Sequence, residues 1–99
     1  MAGFIMSYEI IFWNDSKRIK GVVEKWKKSN PKLYKKLKTI LEDIALHPHT
    51  GLGHPESLAS GDGTIYSRRI SAHDRIIYQI REEENTIYIM KLEGHYDDK

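Results

Sequence analysis

Residues 65–95, IYSRRISAHDRIIYQIREEENTIYIMKLEGH, decide the architecture. β-Branched and aromatic residues fill three runs, Ile65–Ser71, Arg75–Arg81 and Thr86–His95, and such residues suit the pleated surface of a sheet. The joints, Ala72-His73-Asp74 and Glu82-Glu83-Glu84-Asn85, are short enough for antiparallel hairpins. In the middle run Ile76, Tyr78 and Ile80 alternate with Arg75, Ile77, Gln79 and Arg81, so one face is apolar. In the last run strict alternation sets Tyr88, Met90 and Leu92 on one face, with Ile87, Ile89, Lys91, Glu93 and His95 on the other. The sheet is therefore expected to pack through one face. Its second face starts apolar and turns polar towards Arg75 and His95. Glu82–Glu84 reads as a solvated hairpin tip.

Something must cover the apolar face, and the upstream sequence supplies it. Ile19, Val22, Val23 and Trp26 recur at helical spacing, as do Leu33, Leu37, Ile40, Leu41 and Ile44. Asn14, Asp15 and Ser16 offer N-cap oxygens for the first helix. Ser29-Asn30-Pro31 breaks the pattern and restarts it, with Asn30 as cap and Pro31 at the first helical position. The short connection implies an antiparallel helix hairpin. Before it, Tyr8–Trp13 carries a single charge, Glu9, and reads as a strand buried on much of both faces. Trp13 and Trp26 are both expected in the core. The segment from His47 to Thr64 has no periodicity and reads as a long loop, a common seat of function. The expected fold class is α+β: an N-terminal strand, then an antiparallel helix hairpin packed on a mainly antiparallel sheet. Residues 1–99 read as one domain, with 1–5 a loose leader, Met6 a candidate start and 97–99 a short tail.

Composition excludes several classes. Ninety-nine residues, 39% hydrophobic and 30% charged, fit one small core and argue against a disordered tail. No apolar run approaches the ~20 residues of a membrane span, and the first residues lack the charged start of a signal peptide. The absence of cysteine removes disulfides, thiolate metal sites and cysteine nucleophiles, and suits a reducing, cytoplasmic setting. The net charge of +2 conceals a segregation. From Lys17 to Lys38 ten basic residues face Glu24 alone, a local +9 that leaves −7 for the rest of the chain. One-sign clustering is the footprint of polyanion binding. On the helix hairpin it would face ribosomal RNA, with Lys32, Lys35 and Lys36 among the contacts.

A carboxylate, several guanidiniums, an imidazole and a phenol stand at element ends: Glu56, Arg68, Arg69, Arg75, His95 and Tyr96. Those groups suit RNA cleavage without a metal. The 2′-hydroxyl must lose a proton to a base as it attacks the adjacent phosphate. The phosphorane gathers negative charge, which Arg holds bidentately without deprotonating. The departing 5′-oxygen needs a proton, and His is suited to give it. Arg68 and Arg69 are neighbours and so point to opposite faces of a strand. Arg69 shares parity with Ser67 and Ser71 and is assigned to the polar site, whereas Arg68 is expected to pair with a carboxylate or to snorkel. His47, His49 and His54 lie in one loop, yet without the carboxylate or thiolate company of a metal centre; no metal site and no cofactor are assigned.

Gly51-x-Gly53-x-Pro55-Glu56-x-Leu58, Ser67-Arg68-Arg69-Ile70, Arg75 with Tyr78, and His95-Tyr96, in that order and spacing, resemble the YoeB/Txe toxins of the RelE/ParE superfamily. The resemblance runs from about Tyr8 to Tyr96. It implies a RelE-like fold and an endoribonuclease that cuts mRNA on the translating ribosome, neutralised by a cognate antitoxin; a homodimer is expected separately, as a further partner state. It further implies Glu56 as general base, Arg75 as transition-state clamp, His95 as general acid, Tyr96 as a substrate-placing ring and Arg69 as a further phosphate contact. Guanidiniums beside Glu56 weaken it as a base, so orienting Arg75 is its alternative role. The chain departs from the family at Leu52, His54 and Ala59, where Lys is usual, and at Ser57, Tyr66 and Asp74, where Pro, Trp and His are frequent. The missing lysines bear on RNA affinity and rate. The rival expectation is a non-catalytic superfamily member that inhibits another target, such as a topoisomerase, or only binds antitoxin or RNA. A complete base, clamp and acid argues against it, since a pure binder needs no such set.

Overall fold

The computed structural model describes residues 7–13, 17–58 and 63–94. Its elements are β1 (Glu9–Phe12), α1 (Lys17–Ser29), α2 (Pro31–Leu46), β2 (Glu56–Ser57), β3 (Ile65–Arg69), β4 (Arg75–Arg81) and β5 (Thr86–Glu93). The strands form one sheet in the order β1-β5-β4-β3-β2. β1 runs parallel to β5, and every other pair is antiparallel. This is the α+β arrangement expected.

The helix hairpin forms where the sequence punctuates it. The Asn30 side chain accepts the Leu33 amide at 3.3 Å, and Pro31 opens α2 where a missing N–H costs nothing. The candidate caps Asn14, Asp15 and Ser16 lie outside the described residues. Ile19, Val22 and Trp26 of α1 and Leu37, Ile40 and Ile44 of α2 are buried. They pack with Ile76, Tyr78 and Ile80 of β4 and Ile87, Ile89 and Leu92 of β5 in a single core.

Three expectations needed correction. β5 does not alternate strictly. Ile77 faces Lys91 while Tyr78 faces Ile89, which leaves Met90 as the extra residue of a bulge. The bulge flips the parity, so Ile87, Ile89 and Leu92 are buried together and Glu93 comes opposite Arg75 on the other face. β1 is an edge strand with one face covered. Tyr8, Ile10 and Phe12 lean on the core, whereas Trp13 is 39% exposed and meets the Tyr88 ring edge-on at 5.5 Å. Finally, the long loop contains β2, a two-residue strand too short to show periodicity, paired as Glu56↔Ser67 and Ser57↔Tyr66. The Glu82–Glu84 tip is a 3₁₀ turn, exposed as expected, and the Glu82 carboxylate takes a hydrogen bond from the Tyr8 hydroxyl and approaches His49 Nε2 at 3.1 Å. Among the described residues no helix is long and apolar enough to cross a membrane.

Candidate active site

The site begins with the register of β2, β3 and β4. Glu56 stands directly opposite Ser67, and Arg69 directly opposite Arg75. Direct partners on one face have Cβ atoms ~4.5–5.5 Å apart, and diagonal ones ~7–8 Å. Glu56, Ser67, Arg69 and Arg75 therefore share one face of the sheet at its β2–β4 end. With His54 they line a pocket of about 210 Å³. Arg69 and Arg75 are like charges in a directly opposed pair, an arrangement that costs stability unless an anion joins them. Neither forms a salt bridge with the described residues. The one carboxylate opposite Arg75, Glu93, is held instead by Lys91 at 3.2 Å.

The turn that delivers Arg75 is fixed from within. Asp74 is buried and accepts the Ser71 hydroxyl at 2.6 Å, while its backbone carbonyl takes the Ile70 amide at 2.8 Å. Ser71 Oγ in turn accepts the His73 and Asp74 amides. Asp74, one of the chain's departures from the pattern it resembles, thus closes the β3–β4 turn.

The loop that delivers Glu56 is fixed by Arg68. The two arginines separate as parity requires: Arg69 is exposed, and Arg68 is fully buried. Arg68 Nη1 donates to Asp43 Oδ2 of α2 at 2.5 Å, which is the carboxylate partner expected of it. Burial by itself would raise the Asp43 carboxyl. The hydrogen bonds from Arg68 and the Leu52 amide, the Arg68 charge and the His47 hydrogen bond outweigh it and hold the carboxyl below the usual range. A carboxylate so lowered contributes stability above its unfolded value, and that stability is lost as pH falls through the folded one. Acid unfolding below about pH 4 is therefore expected to be steeper in the wild type than in Asp43→Asn, followed by circular dichroism. Parallel curves would show that the pair has no share in acid stability.

Two glycines let the loop close. At Gly51 (φ +118°) a Cβ would run into the Asp43 carboxylate, and at Gly53 (φ +80°) into the Arg69 backbone. The close approach at Gly53 allows its carbonyl to accept the Arg69 amide at 2.7 Å, which brings the loop onto β3 just before β2. His54 follows with φ 54°, a left-handed value unusual for a residue with a side chain.

A second, larger cavity of about 650 Å³ opens beside the first and shares Arg69 with it. Lys32, Lys35 and Lys36 of α2 form its basic wall, and Ile40, Leu52 and Ile70 contribute apolar lining. Among the described residues no acidic side chain lines it. Glu56, Arg69 and Arg75 thus meet in one pocket, and the three lysines meet Arg69 in the next. His95 and Tyr96 lie outside the described residues; β5 ends at Glu93, opposite Arg75. Sequence reasoning missed His54 and Ser67 as pocket residues. Ser67 was legible through its parity with Arg69, whereas His54 depends on a backbone turn that no periodicity marks. The three loop histidines part company: His47 lies beside Asp43, His49 between Tyr66 and Glu82, and His54 in the pocket.

Comparison with known proteins gives a consistent result. Residues 12–96 match the model of the YoeB-like toxin of bacterial type II toxin–antitoxin systems. The chain is similar to the toxin YoeB of Streptomyces coelicolor, 31% identical over 71 residues, which are 72% of this chain and 82% of that protein. Its structure is similar to that of YoeB in a YoeB–YefM complex from Staphylococcus aureus, with a TM-score of 0.73 at 30% identity over 90% of this chain and 98% of that one. It is similar also to a YoeB dimer from the same species, with a TM-score of 0.74 at 28% identity over 91% and 99%.

Proposed function

The chain belongs to the YoeB-like toxins of bacterial type II toxin–antitoxin systems, and from that premise we propose that it cleaves mRNA on the translating ribosome with acid, base and charge drawn from its own side chains. The observation that supports this reading most is the pocket shared by Glu56, Arg69 and Arg75. Two guanidiniums opposite each other, neither in a salt bridge among the described residues, suit a phosphate that gains charge, and a carboxylate diagonal to one of them suits the proton that must leave.

In the proposed reaction Glu56 takes the proton of the 2′-hydroxyl as its oxygen bonds to phosphorus. Arg75 and Arg69 hold the phosphorane oxygens. The bond from phosphorus to the 5′-oxygen breaks, and His95 gives that oxygen its proton. The products are a 2′,3′-cyclic phosphate and a 5′-hydroxyl end. Tyr96 places the substrate. Lys32, Lys35 and Lys36 hold ribosomal or messenger RNA along the adjoining groove. Residues 1–99 act as one domain in the cytoplasm. A small acidic antitoxin neutralises the chain, as the YefM complex of the staphylococcal relative suggests, and a homodimer is a further state.

Induced expression with mapping of transcript 5′ ends tests the reading. New ends are expected inside translated codons, and they should vanish from a reporter whose start codon is removed. Cuts that persist in the untranslated reporter would break the link to the ribosome, and an absence of cuts during growth arrest would favour a non-catalytic target.

A further inference from the structure

We propose that Arg68 is a positioning residue for this reaction: it touches no substrate but clamps the 47–53 loop so that Glu56 is held in one pocket with Arg69 and Arg75. The inference rests on the functional reading above.

A guanidinium has five N–H donors in a rigid fork, and Arg68 uses all five. Nε donates to the Tyr78 hydroxyl at 3.0 Å. Nη1 donates to Asp43 Oδ2 and, at 3.1 Å, to the Leu52 carbonyl. Nη2 donates to the Thr50 carbonyl at 2.8 Å and to that of His47. The partners of Arg68 extend the clamp. Tyr78 donates its own proton to the Pro48 carbonyl at 2.7 Å, and Asp43 Oδ2 accepts the Leu52 amide at 3.0 Å. Four carbonyls and one amide of a six-residue stretch thus converge on three side chains from β3, β4 and α2.

Stability alone is a poor reason for such a centre. An ion pair whose arginine is fully buried and whose carboxylate is mostly so is often no more stabilising than apolar residues of the same volume, and the attested use of such pairs is to specify one geometry. Here the geometry it specifies reaches the pocket within a few bonds. Ser67 and Arg69 flank Arg68 on β3 and line the pocket from the opposite face, and the clamped loop runs through Gly53 directly to His54 and Glu56. One strand therefore grips the loop with its inner side chain and presents the site with its outer ones. Reactive groups displaced by about 1 Å can lose ~10²-fold in rate, so a loosened clamp should appear in turnover.

Tyr78→Phe and Asp43→Asn test this in the full chain, since each keeps the volume of its side chain and removes part of the clamp. Single-turnover cleavage of a translated mRNA should slow by about tenfold, with half-saturating ribosome concentration unchanged. Hydrogen exchange should quicken at the amides of residues 50–54 and stay unchanged through β4 and β5. A wild-type rate in a variant whose loop amides have quickened overturns the inference. So does a loss that follows only global unfolding, or one carried by ribosome affinity. A wild-type chain that cuts no RNA overturns the functional reading and this inference with it, whereas normal cutting by a loosened variant overturns this inference alone.

Discussion

Arg75→Ala should reduce RNA cleavage by roughly 10²–10³-fold, the usual cost of removing one charge-stabilising donor from a reaction centre, while leaving thermal stability unchanged or slightly raised. The two halves of that result have one cause. Arg75 is exposed at the start of β4 and directly faces Arg69. An exposed side chain away from caps and core seldom changes stability by more than about 0.5 kcal/mol, and here its removal also relieves a like-charge pair. A side chain whose loss helps the fold and ends the reaction is kept for the reaction. Arg75→Lys should recover little, because an ammonium cannot reproduce a two-pronged grip on phosphate. Glu56→Ala separates its two candidate roles. As the base, Glu56 contributes ~10²–10⁴-fold, and the acid-side fall of the rate disappears with it. As an orienting partner of Arg75, it lowers the rate but the acid-side fall survives. Growth arrest undiminished by Arg75→Ala would sink the assignment of this pocket.

Much of this arrangement is legible in the residues, and the exceptions share a cause. Local chemistry marks the helix hairpin, since Asn30 and Pro31 act within one turn and the two apolar stripes act within each helix. Parity within a strand separates Arg68 from Arg69, because it too needs only neighbours. What failed depends on pairing partners far along the chain. The bulge at Met90 carries no glycine or proline to announce it, and only the β4 register reveals it. Trp13 reads as core until β1 is known to be an edge with one covered face. β2 exists only because Glu56 and Ser57 find Ser67 and Tyr66. In the candidate site, the family pattern brings Glu56, Arg69 and Arg75 to notice, and the register explains why they meet. The partners of Arg68 are mostly backbone carbonyls, which leave no trace in a sequence. That is why a paired Arg68 was foreseeable and a loop clamp was not.

Neutralising Lys32, Lys35 and Lys36 together, as glutamines, should weaken ribosome association and flatten its dependence on salt. Each phosphate contact to a single strand contributes ~0.7 to the slope of log affinity against log salt. Three lost contacts should make the wild type lose roughly 20-fold more affinity than the variant between about 50 and about 200 mM salt. The stability of α2 should move the other way. The helix begins at Pro31 and has no acidic residue in its first turn, where carboxylates would suit the positive end of the helix dipole; Lys32 stands there instead. Such a mismatch costs ~0.3–1 kcal/mol at an exposed helix end, so the glutamines should slightly raise the melting temperature. At positions i, i+3 and i+4 the three lysines share one helix face, and that face forms the wall of the groove that Arg69 joins to the pocket. A ribosome affinity and salt slope unchanged by the substitutions would reduce the three to a solvated surface, and with them the argument that a +9 segment from Lys17 to Lys38 in a +2 chain is built to meet RNA.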